Sequence, residues 1–344
     1  MIFHPLPLAI FVLDALGLAM VLAAAFTAIQ VVLEWRPGAA DNRQIRLETG
    51  CEIAAFRARF GFFSLALGTL VWVIGITGVL PPLVPGAMCG TGVLQAMDGR
   101  GHRVLTFRLI TIAILYIWYA LDRLDRSQPD APLAVQNARF LLLAVPFLLI
   151  GLVDTFRAIV GLDLHEPVNC CAVVYDQLRS SNTVGKTSGI PDIMWVWGAG
   201  LGSIALMALS GITWVGAKNR APIWSGLLGL TTLLWAPAAA VAMTNSLSAY
   251  HYEVLHHQCP WCLFLPEHRM VGYPIFGALL LTAAEGTIAA AVAIAATGHS
   301  ELAAPAGRRI RSASQRVIIG VTVYGCLAWI PPILWRLRYG VWMG

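Results

Sequence analysis

Residues 5–34 read PLPLAIFVLDALGLAMVLAAAFTAIQVVLE, a run in which Asp14 is the only charge before Glu34. A helix of about 20 apolar residues is long enough to cross the hydrocarbon core of a bilayer, so this stretch predicts a transmembrane helix. Seven more apolar runs follow, at about residues 60–84, 104–121, 139–162, 192–216, 223–245, 270–297 and 317–335. The sequence therefore predicts an all-α polytopic membrane bundle of about eight transmembrane helices.

The composition of the whole chain agrees with a membrane setting. Of the 344 residues, 58% are hydrophobic and 12% are charged, and the mean hydropathy is +0.72. Soluble domains carry about a quarter charged residues and disordered chains are poor in apolar ones, so both classes are excluded. We expect residues 1–344 to form a single integral membrane domain in a lipid bilayer. In a membrane protein, an excess of Lys and Arg, here a net charge of +5, is explained first by the orientation of the chain in the membrane. It does not imply a nucleic-acid partner.

The positive charges are distributed unevenly between the two sides of the predicted bundle. Fourteen Lys and Arg residues fall in or beside the loops after the first, third, fifth and seventh predicted helices, and seven fall on the opposite side. Because short cytoplasmic loops are enriched in Lys and Arg, this bias predicts that both termini lie on the non-cytoplasmic side. An even number of crossings also requires the two termini to share a side.

Most cysteines and histidines then fall on the predicted outer, non-cytoplasmic side, where disulfides form and persist. They comprise five of the seven cysteines and seven of the eight histidines: Cys89, Cys170, Cys171, Cys259 and Cys262, with His4, His102, His165, His251, His256, His257 and His268. The loops on the opposite side are equally polar and nearly free of histidine. This asymmetry favours a functional cluster over the chance collection of polar residues at loop ends.

Two outer loops resemble each other. Cys89-Gly-Thr-Gly92 follows the second predicted helix, Cys259-Pro-Trp-Cys262 follows the sixth, and a His-Arg pair lies downstream of each. This echo is compatible with a duplicated four-helix unit, with possible halves 1–165 and 190–344 joined by an outer loop 163–191. A chance similarity between two short loops is the open alternative.

The stretch from His251 to Arg269, HYEVLHHQCPWCLFLPEHR, carries the clearest chemical motif. A C-x-x-C pair at the start of a helix is a redox device, since amide N–H groups and the helix dipole stabilise a thiolate and two thiols at this spacing close an exchangeable disulfide. Pro260 fixes the backbone between the thiols, and Trp261 suits a membrane interface. His256, His257 and His268 would stabilise a thiolate or accept its proton. We therefore expect Cys259 and Cys262 to be redox-active.

With Glu267 and Arg269 downstream, Cys259-Pro-Trp-Cys262-Leu-Phe resembles the second-helix signature of the bacterial disulfide-bond-forming membrane protein B family. It is more loosely similar to the vitamin K epoxide reductase family. The resemblance implies a bacterial inner-membrane thiol–quinone oxidoreductase that exchanges electrons with an extracytoplasmic thiol protein. It also implies that Cys259 and Cys262 are the quinone-proximal pair and Arg269 the quinone-side arginine. Cys170 or Cys171, and Cys89, would be the shuttle cysteines.

Two other interpretations use the same residues. His251, His256, His257, Cys259 and Cys262 are alternative ligands for haem, zinc or copper, which would make the protein a metal- or haem-binding subunit of an electron-transfer complex. Alternatively, Cys170 or Cys171 pairs with Cys89 in a structural disulfide that staples the outer loops. The protein would then be a non-catalytic membrane anchor subunit.

Ionisable residues inside predicted spans are functional candidates by default. Asp154 and Arg157 share a helix face at i, i+3 and are expected to neutralise each other. Glu285, near the middle of the seventh predicted helix, has no local partner in the sequence. Because the C-x-x-C motif is expected to open the same helix, Glu285 is a candidate for delivering protons to a quinone.

Overall fold

The computed structural model describes residues 4–36, 38–39, 41–168, 190–216, 221–254, 257 and 259–342. It is 84% helical, with no strand in the described residues. Eight of its helices are long and apolar enough to cross a membrane. The prediction of an all-α polytopic membrane bundle is therefore confirmed.

Ten α-helices follow one another along the described chain. They are α1 (Pro5–Glu34), α2 (Asn42–Ile74), α3 (Gly90–Ala96), α4 (Arg100–Asp125), α5 (Ala134–Val160), α6 (Asp192–Val215), α7 (Ala221–Ala242), α8 (Ser248–Tyr252), α9 (Gly272–Ala295) and α10 (Ala303–Tyr339). π-helical turns continue α2 over Gly75–Val79 and α7 over Met243–Leu247. Only α3 and α8 are too short to span a bilayer.

Two of the spanning helices begin well before their apolar runs. The sequence interpretation placed the arginines at the start of α2 and α10 in loops, yet α2 begins at Asn42 and α10 at Ala303. At α2, Asp41 caps the helix because its carboxylate accepts the backbone N–H of Gln44 at 2.7 Å. Arginine side chains on such extensions carry their charge to the membrane surface while their stems cover apolar surface. The loop assignment of these segments was therefore wrong.

The chain divides into two compact units. The first comprises Met1–Pro85, Val93–Val168 and Gly298–Pro305, and the second comprises Gly86–Gly92, Asn169–Thr297 and Ala306–Gly344. The first contains α1, α2, α4 and α5, and the second contains α6 to α9 with most of α10. Whether the two units arose by duplication stays a hypothesis.

In the first unit, α1 packs on α2 and α5, and α4 packs on α5. A buried ion pair joins Arg108 of α4 to Asp14 of α1, and Arg108 also donates to the Thr155 hydroxyl of α5. Removing either partner of a buried ion pair leaves an uncompensated charge, so this pair requires the three helices to keep their register.

The pairing expected for Asp154 in the first unit was wrong. Both carboxylate oxygens of Asp154 accept from one guanidinium nitrogen of Arg103 of α4, with both distances 3.0 Å, and not from Arg157 of its own helix. Arg103 brings a charged N–H donor from the neighbouring helix, whereas residues at i, i+3 only share a face. The charge is neutralised between helices.

In the second unit, α7 packs on α6 and α9, and small residues make the close approaches. A Cβ on Gly202 would lie 2.7 Å from the Trp235 ring. The Trp235 indole N–H donates to the Ala199 carbonyl at 3.1 Å, and the Tyr324 hydroxyl of α10 donates to the Ala239 carbonyl at 2.9 Å. These contacts join α6 and α10 to α7.

Glu285 of α9 lies in this second core, fully buried, and it does not lack a partner. Its two carboxylate oxygens accept hydrogen bonds from Arg309 at 2.8 Å and Arg316 at 2.7 Å, both on α10. The sequence shows no local partner for Glu285, and both arginines lie farther along the chain, on a helix where the sequence interpretation placed a loop. Glu285 therefore joins α9 to α10.

Candidate functional site

The C-x-x-C motif lies in a compact non-α segment between α8 and α9. α8 ends at Tyr252, and the residue that follows it, Glu253, has a left-handed φ of 53°. Cys259 is extended, and Pro260 and Pro266 then begin two 3₁₀ turns, Pro260–Phe264 and Pro266–His268. Proline favours the first position of such turns because its φ is fixed and it needs no N–H partner there.

The motif does not open the long helix that follows, which corrects the sequence interpretation. After the second 3₁₀ turn, Arg269 and Met270 adopt left-handed φ values of 56° and 52°, and α9 begins only at Gly272. A helix dipole acts within about the first turn of its helix. Any stabilisation of a thiolate in this motif must therefore come from local hydrogen bonds.

Three cysteine sulfurs meet in the second unit. Cys259 and Cys262 are joined there by Cys89, and the three Sγ atoms lie within 4.8 Å of one another. The Cys89 and Cys259 Sγ atoms are 3.5 Å apart, and the three residues are 1%, 2% and 8% exposed in the order Cys89, Cys259, Cys262. The two loops that echo each other in the sequence thus bring their cysteines together in the fold.

Hydrogen bonds make the two thiols of the motif unequal. The Cys262 thiol and then the Cys89 thiol hold the pKa of Cys259 well below its usual range, and the Thr91 hydroxyl and the Cys262 backbone N–H act in the same direction against burial. The pKa of Cys262 is raised, because its hydrogen bonds to the Cys259 and Cys89 sulfurs and its burial favour the neutral thiol. These opposite shifts favour the thiolate at Cys259 and the neutral thiol at Cys262.

Tyr252 anchors this segment. It is buried at the end of α8, and its hydroxyl donates a 2.5 Å hydrogen bond to the Cys259 carbonyl. The rings of His257 and His268 stand edge-on to the Tyr252 ring, with centroids 4.4 and 4.6 Å away. Burial lowers the pKa of both histidines, and the neighbouring His268 charge lowers that of His257 further. Neutral imidazoles are able to accept a proton.

Three aromatic side chains lie within or beside the motif. Trp261 is half-buried and its ring centroid is 5.7 Å from that of Phe264. Phe264 in turn stacks on Phe276 of α9, with centroids 5.6 Å apart and an interplanar angle of 12°. Arg269 is exposed on the segment that leads into α9. The motif is thus flanked by flat apolar rings, with a cation nearby in the sequence.

The other predicted site residues lie apart from the sulfurs or outside the described chain. His251, at the end of α8, and His257 are not among the side chains that approach the three sulfurs as a ligand group within the described residues. Glu285 is about 20 Å along α9 from Gly272, at 1.5 Å per residue. Cys170, Cys171 and His256 lie outside the described residues.

Two contacts of the site were missed from the sequence. The Thr91 hydroxyl lies 3.0 Å from the Cys259 sulfur, and Tyr252 binds the Cys259 carbonyl. The only signal for Thr91 is its place two residues after Cys89, in the loop that echoes the C-x-x-C loop. No spacing rule marks Tyr252.

Three buried cysteine sulfurs can exchange a disulfide among themselves when two of them are oxidised. When reduced, they can bind a soft metal ion. Both chemistries need sulfur atoms that converge from separate chain segments, and this structure supplies them. No protein-family model matches the chain, and no curated protein or solved structure is similar to it.

Proposed function

We propose that the protein is a membrane thiol–disulfide oxidoreductase that passes electrons from an extracytoplasmic thiol protein to a quinone. One observation carries the proposal: the sulfurs of Cys89, Cys259 and Cys262 converge within 4.8 Å in a buried cluster. Disulfide exchange requires a thiolate to approach one sulfur of a disulfide in line. Cys89 is adjacent to Cys259, so it is placed to attack or to resolve a Cys259–Cys262 disulfide.

Bonds, protons and electrons balance in an exchange among the three sulfurs and a partner dithiol. The Cys89 thiolate attacks Cys259 of the Cys259–Cys262 disulfide, forming a Cys89–Cys259 bond and releasing Cys262 as a thiolate that takes up a proton. A partner thiolate then attacks Cys89 and releases Cys259, and the partner's second thiol closes its own disulfide and frees Cys89. The partner has lost two electrons and two protons, and the Cys259–Cys262 pair is reduced.

The oxidised state of the motif must then be restored by an electron acceptor. Re-forming the Cys259–Cys262 bond releases two electrons and two protons, which a membrane quinone accepts in its ordinary chemistry. The flat rings of Trp261 and Phe264 would hold an apolar ring beside the motif, and Arg269 would offer a cation to its oxygens. His257 and His268, both neutral at pH 7 by the direction of their pKa shifts, would accept the thiol protons.

We also propose on which side of the membrane the cysteine cluster lies. The excess of Lys and Arg toward one end of the spanning helices supports both termini, and with them the cysteine cluster, on the non-cytoplasmic side of a bacterial inner membrane. An oxidising compartment of that kind supplies thiol proteins that need disulfides. Cys170 and Cys171 would be shuttle cysteines: the partner dithiol reduces them, and their thiolate then takes the place of the partner thiolate in the attack on Cys89.

Quinone reduction by a dithiol tests the proposal directly. The purified full-length protein in detergent, given dithiothreitol and a soluble ubiquinone analogue, is expected to bleach the quinone absorbance catalytically. Cys259→Ser and Cys262→Ser should abolish the activity, whereas Cys51→Ser and Cys326→Ser, which lie outside the cluster, should retain it. Retained activity in Cys259→Ser or Cys262→Ser would refute the proposal.

A soft-metal site is the second candidate, favoured by the same convergence of sulfurs. Three thiolates within 4.8 Å suit monovalent copper or zinc, which prefer thiolate ligands. The ligand set would then be Cys89, Cys259 and Cys262, with no histidine from the described residues. The protein would serve as a metal-binding subunit of an electron-transfer complex, as the second sequence interpretation has it.

Metal analysis separates the two candidates. Protein purified anaerobically in the presence of zinc or copper would carry about one metal per chain if the second candidate is right, and Cys89→Ser would lose it. The redox proposal predicts no retained metal after dialysis and a Cys259–Cys262 disulfide in oxidised protein. A Soret band would instead support haem binding, and structural disulfides with no exchange would support a non-catalytic anchor subunit.

A further inference from the structure

The first unit contains a large pocket that has no part in the cysteine chemistry. Its volume is about 920 Å³, within the range of pockets that hold small molecules. It lies at the end of the unit where α1 and α4 terminate and α2 and α5 begin. Small side chains of three helices leave space in it: Ala24, Ala28, Ala54, Ala55, Ala134 and Ala138.

The lining of this pocket is apolar in part and acidic in part. Trp118 and Leu141 join the alanines in the apolar part, which we call the apolar floor, while carboxylates and amides line much of the remainder. Five carboxylates border the pocket, namely Glu48, Glu52, Asp122, Asp125 and Asp130, against one bordering arginine, Arg126. Asp122 is neutralised by Arg59 and Arg126. The pocket therefore keeps an excess of negative charge above an apolar floor.

A buried acceptor faces the same space. Asn137 of α5 is 7% exposed and lies on the pocket wall. Its amide nitrogen donates to Asp125 at 3.4 Å, but its amide oxygen has no hydrogen-bond partner. A buried acceptor without a donor is costly. Asn137 therefore calls for a ligand that brings an N–H or O–H donor.

The carboxylates of this pocket do not gather into a compact group of metal ligands. Within the described residues, no three acidic side chains here bring their oxygens within ligand distance of one another. A larger cation, whose donors and charge are spread over several ångströms, fits such a lining. The apolar floor needs an apolar body on the same molecule.

We infer that this pocket binds an organic amine with an apolar body, its ammonium group held by Asp125 and Asn137 within the field of Glu48 and Glu52. An ammonium offers three N–H donors, enough for the Asn137 oxygen and the Asp125 carboxylate together. The apolar body would lie against Trp118 and Leu141. A free alkylamine and the amine headgroup of a membrane lipid share this chemistry.

Cys51 provides a local readout because it lines the pocket. The full-length protein in phosphatidylcholine nanodiscs would be alkylated with N-ethylmaleimide, and the labelling of Cys51 and of free glutathione in the same buffer would be followed by mass spectrometry. Hexylamine is expected to slow labelling of Cys51 and not of glutathione. Hexanol and hexanoate, which share the apolar body without the positive charge, should protect much less.

Two variants test the two halves of the pocket. The double variant Glu48→Gln with Glu52→Gln removes two exposed negative charges. Because solvent screens each of these charges, the hexylamine concentration that gives half protection of Cys51 should rise by about threefold to tenfold. Ala138→Leu should fill the apolar part and abolish protection. The matched control Asp98→Asn, an exposed acid outside the pocket lining, should leave protection unchanged.

A change of lipid in the nanodisc distinguishes the two possible sources of the amine. In phosphatidylethanolamine nanodiscs, protection of Cys51 without hexylamine would assign the site to the lipid amine, and protection by hexylamine alone would assign it to a free amine. Equal protection by hexylamine, hexanol and hexanoate would overturn the inference. Wild-type protection in Ala138→Leu, or in the Glu48 and Glu52 double variant, would do the same.

Discussion

Replacing Thr91 with valine removes one hydrogen bond from the Cys259 sulfur and keeps the shape of the side chain. The Thr91 hydroxyl lies 3.0 Å from that sulfur, and a hydrogen bond to a charged group contributes about 1.5–3 kcal/mol. Since one pKa unit corresponds to about 1.4 kcal/mol, the pKa of Cys259 should rise by about one to two units. The lower end is expected because the Cys262 and Cys89 thiols and the Cys262 N–H remain.

The same change should alter the redox potential in a defined direction. The hydrogen bond stabilises the Cys259 thiolate, and hence the reduced form of the pair. Its loss makes the reduced form less stable, so the midpoint potential should fall by about 30 mV per 1.4 kcal/mol for this two-electron couple. The Thr91→Val protein should therefore be a weaker oxidant of a partner dithiol.

Thiolate absorbance near 240 nm, followed from neutral to acid pH, measures the first quantity. A depressed pKa means that the thiolate, and the stability it confers, is present at neutral pH and is lost as the pH falls through the folded-state value. Thr91→Val should lose its absorbance at higher pH than wild type, and Cys259→Ser should lack it. Thr287→Val, a half-buried threonine that bonds only to carbonyls of its own helix, is the control. If Thr91→Val titrates as wild type and its potential does not move, the hydrogen bond does not stabilise the thiolate.

Three further changes probe the cluster and the second unit. Tyr252→Phe leaves the buried Cys259 carbonyl without its donor and should cost about 1–3 kcal/mol in thermal or denaturant unfolding; wild-type stability would show that the bond is not needed. Cys262→Ser should trap a Cys89–Cys259 disulfide, identified by non-reducing peptide mapping, because those sulfurs lie 3.5 Å apart; a free Cys89 after oxidation would contradict the proposed exchange. Glu285→Gln should lower stability by about 2–3 kcal/mol, discounted for the partial exposure of its two arginine partners, while leaving quinone reduction intact. Loss of that activity at wild-type stability would restore the proton-delivery hypothesis.

The spans were predictable because lipid imposes a simple rule on them. A run such as residues 5–34 must be helical and apolar to satisfy its backbone in hydrocarbon, and the sequence shows this directly. The helix ends were harder to predict. The early parts of α2 and α10 carry arginines, so hydropathy alone assigns them to loops, although helical hydrogen bonding continues through them.

The site was predictable only where one short stretch carries the chemistry. The spacing of Cys259 and Cys262 marks them without any structure, and the echo in the Cys89 loop marks a second place to look. The partners of Glu285 lie 24 and 31 residues downstream. Which residues it meets depends on the rotation of α10 about its axis, and no pattern in a single sequence specifies that rotation.

The distance along the chain between Cys89 and Cys259 has a consequence for how the protein is made. The two residues are 170 positions apart, and ribosomes add about 5–20 residues per second. Cys89 is therefore synthesised roughly 10–30 s before the residues that bury its thiol. During that interval it has neither Cys259 nor Cys262 to contact, while Cys170 and Cys171 are made first. The order of synthesis therefore makes Cys170 and Cys171 available to Cys89 before Cys259 and Cys262 exist.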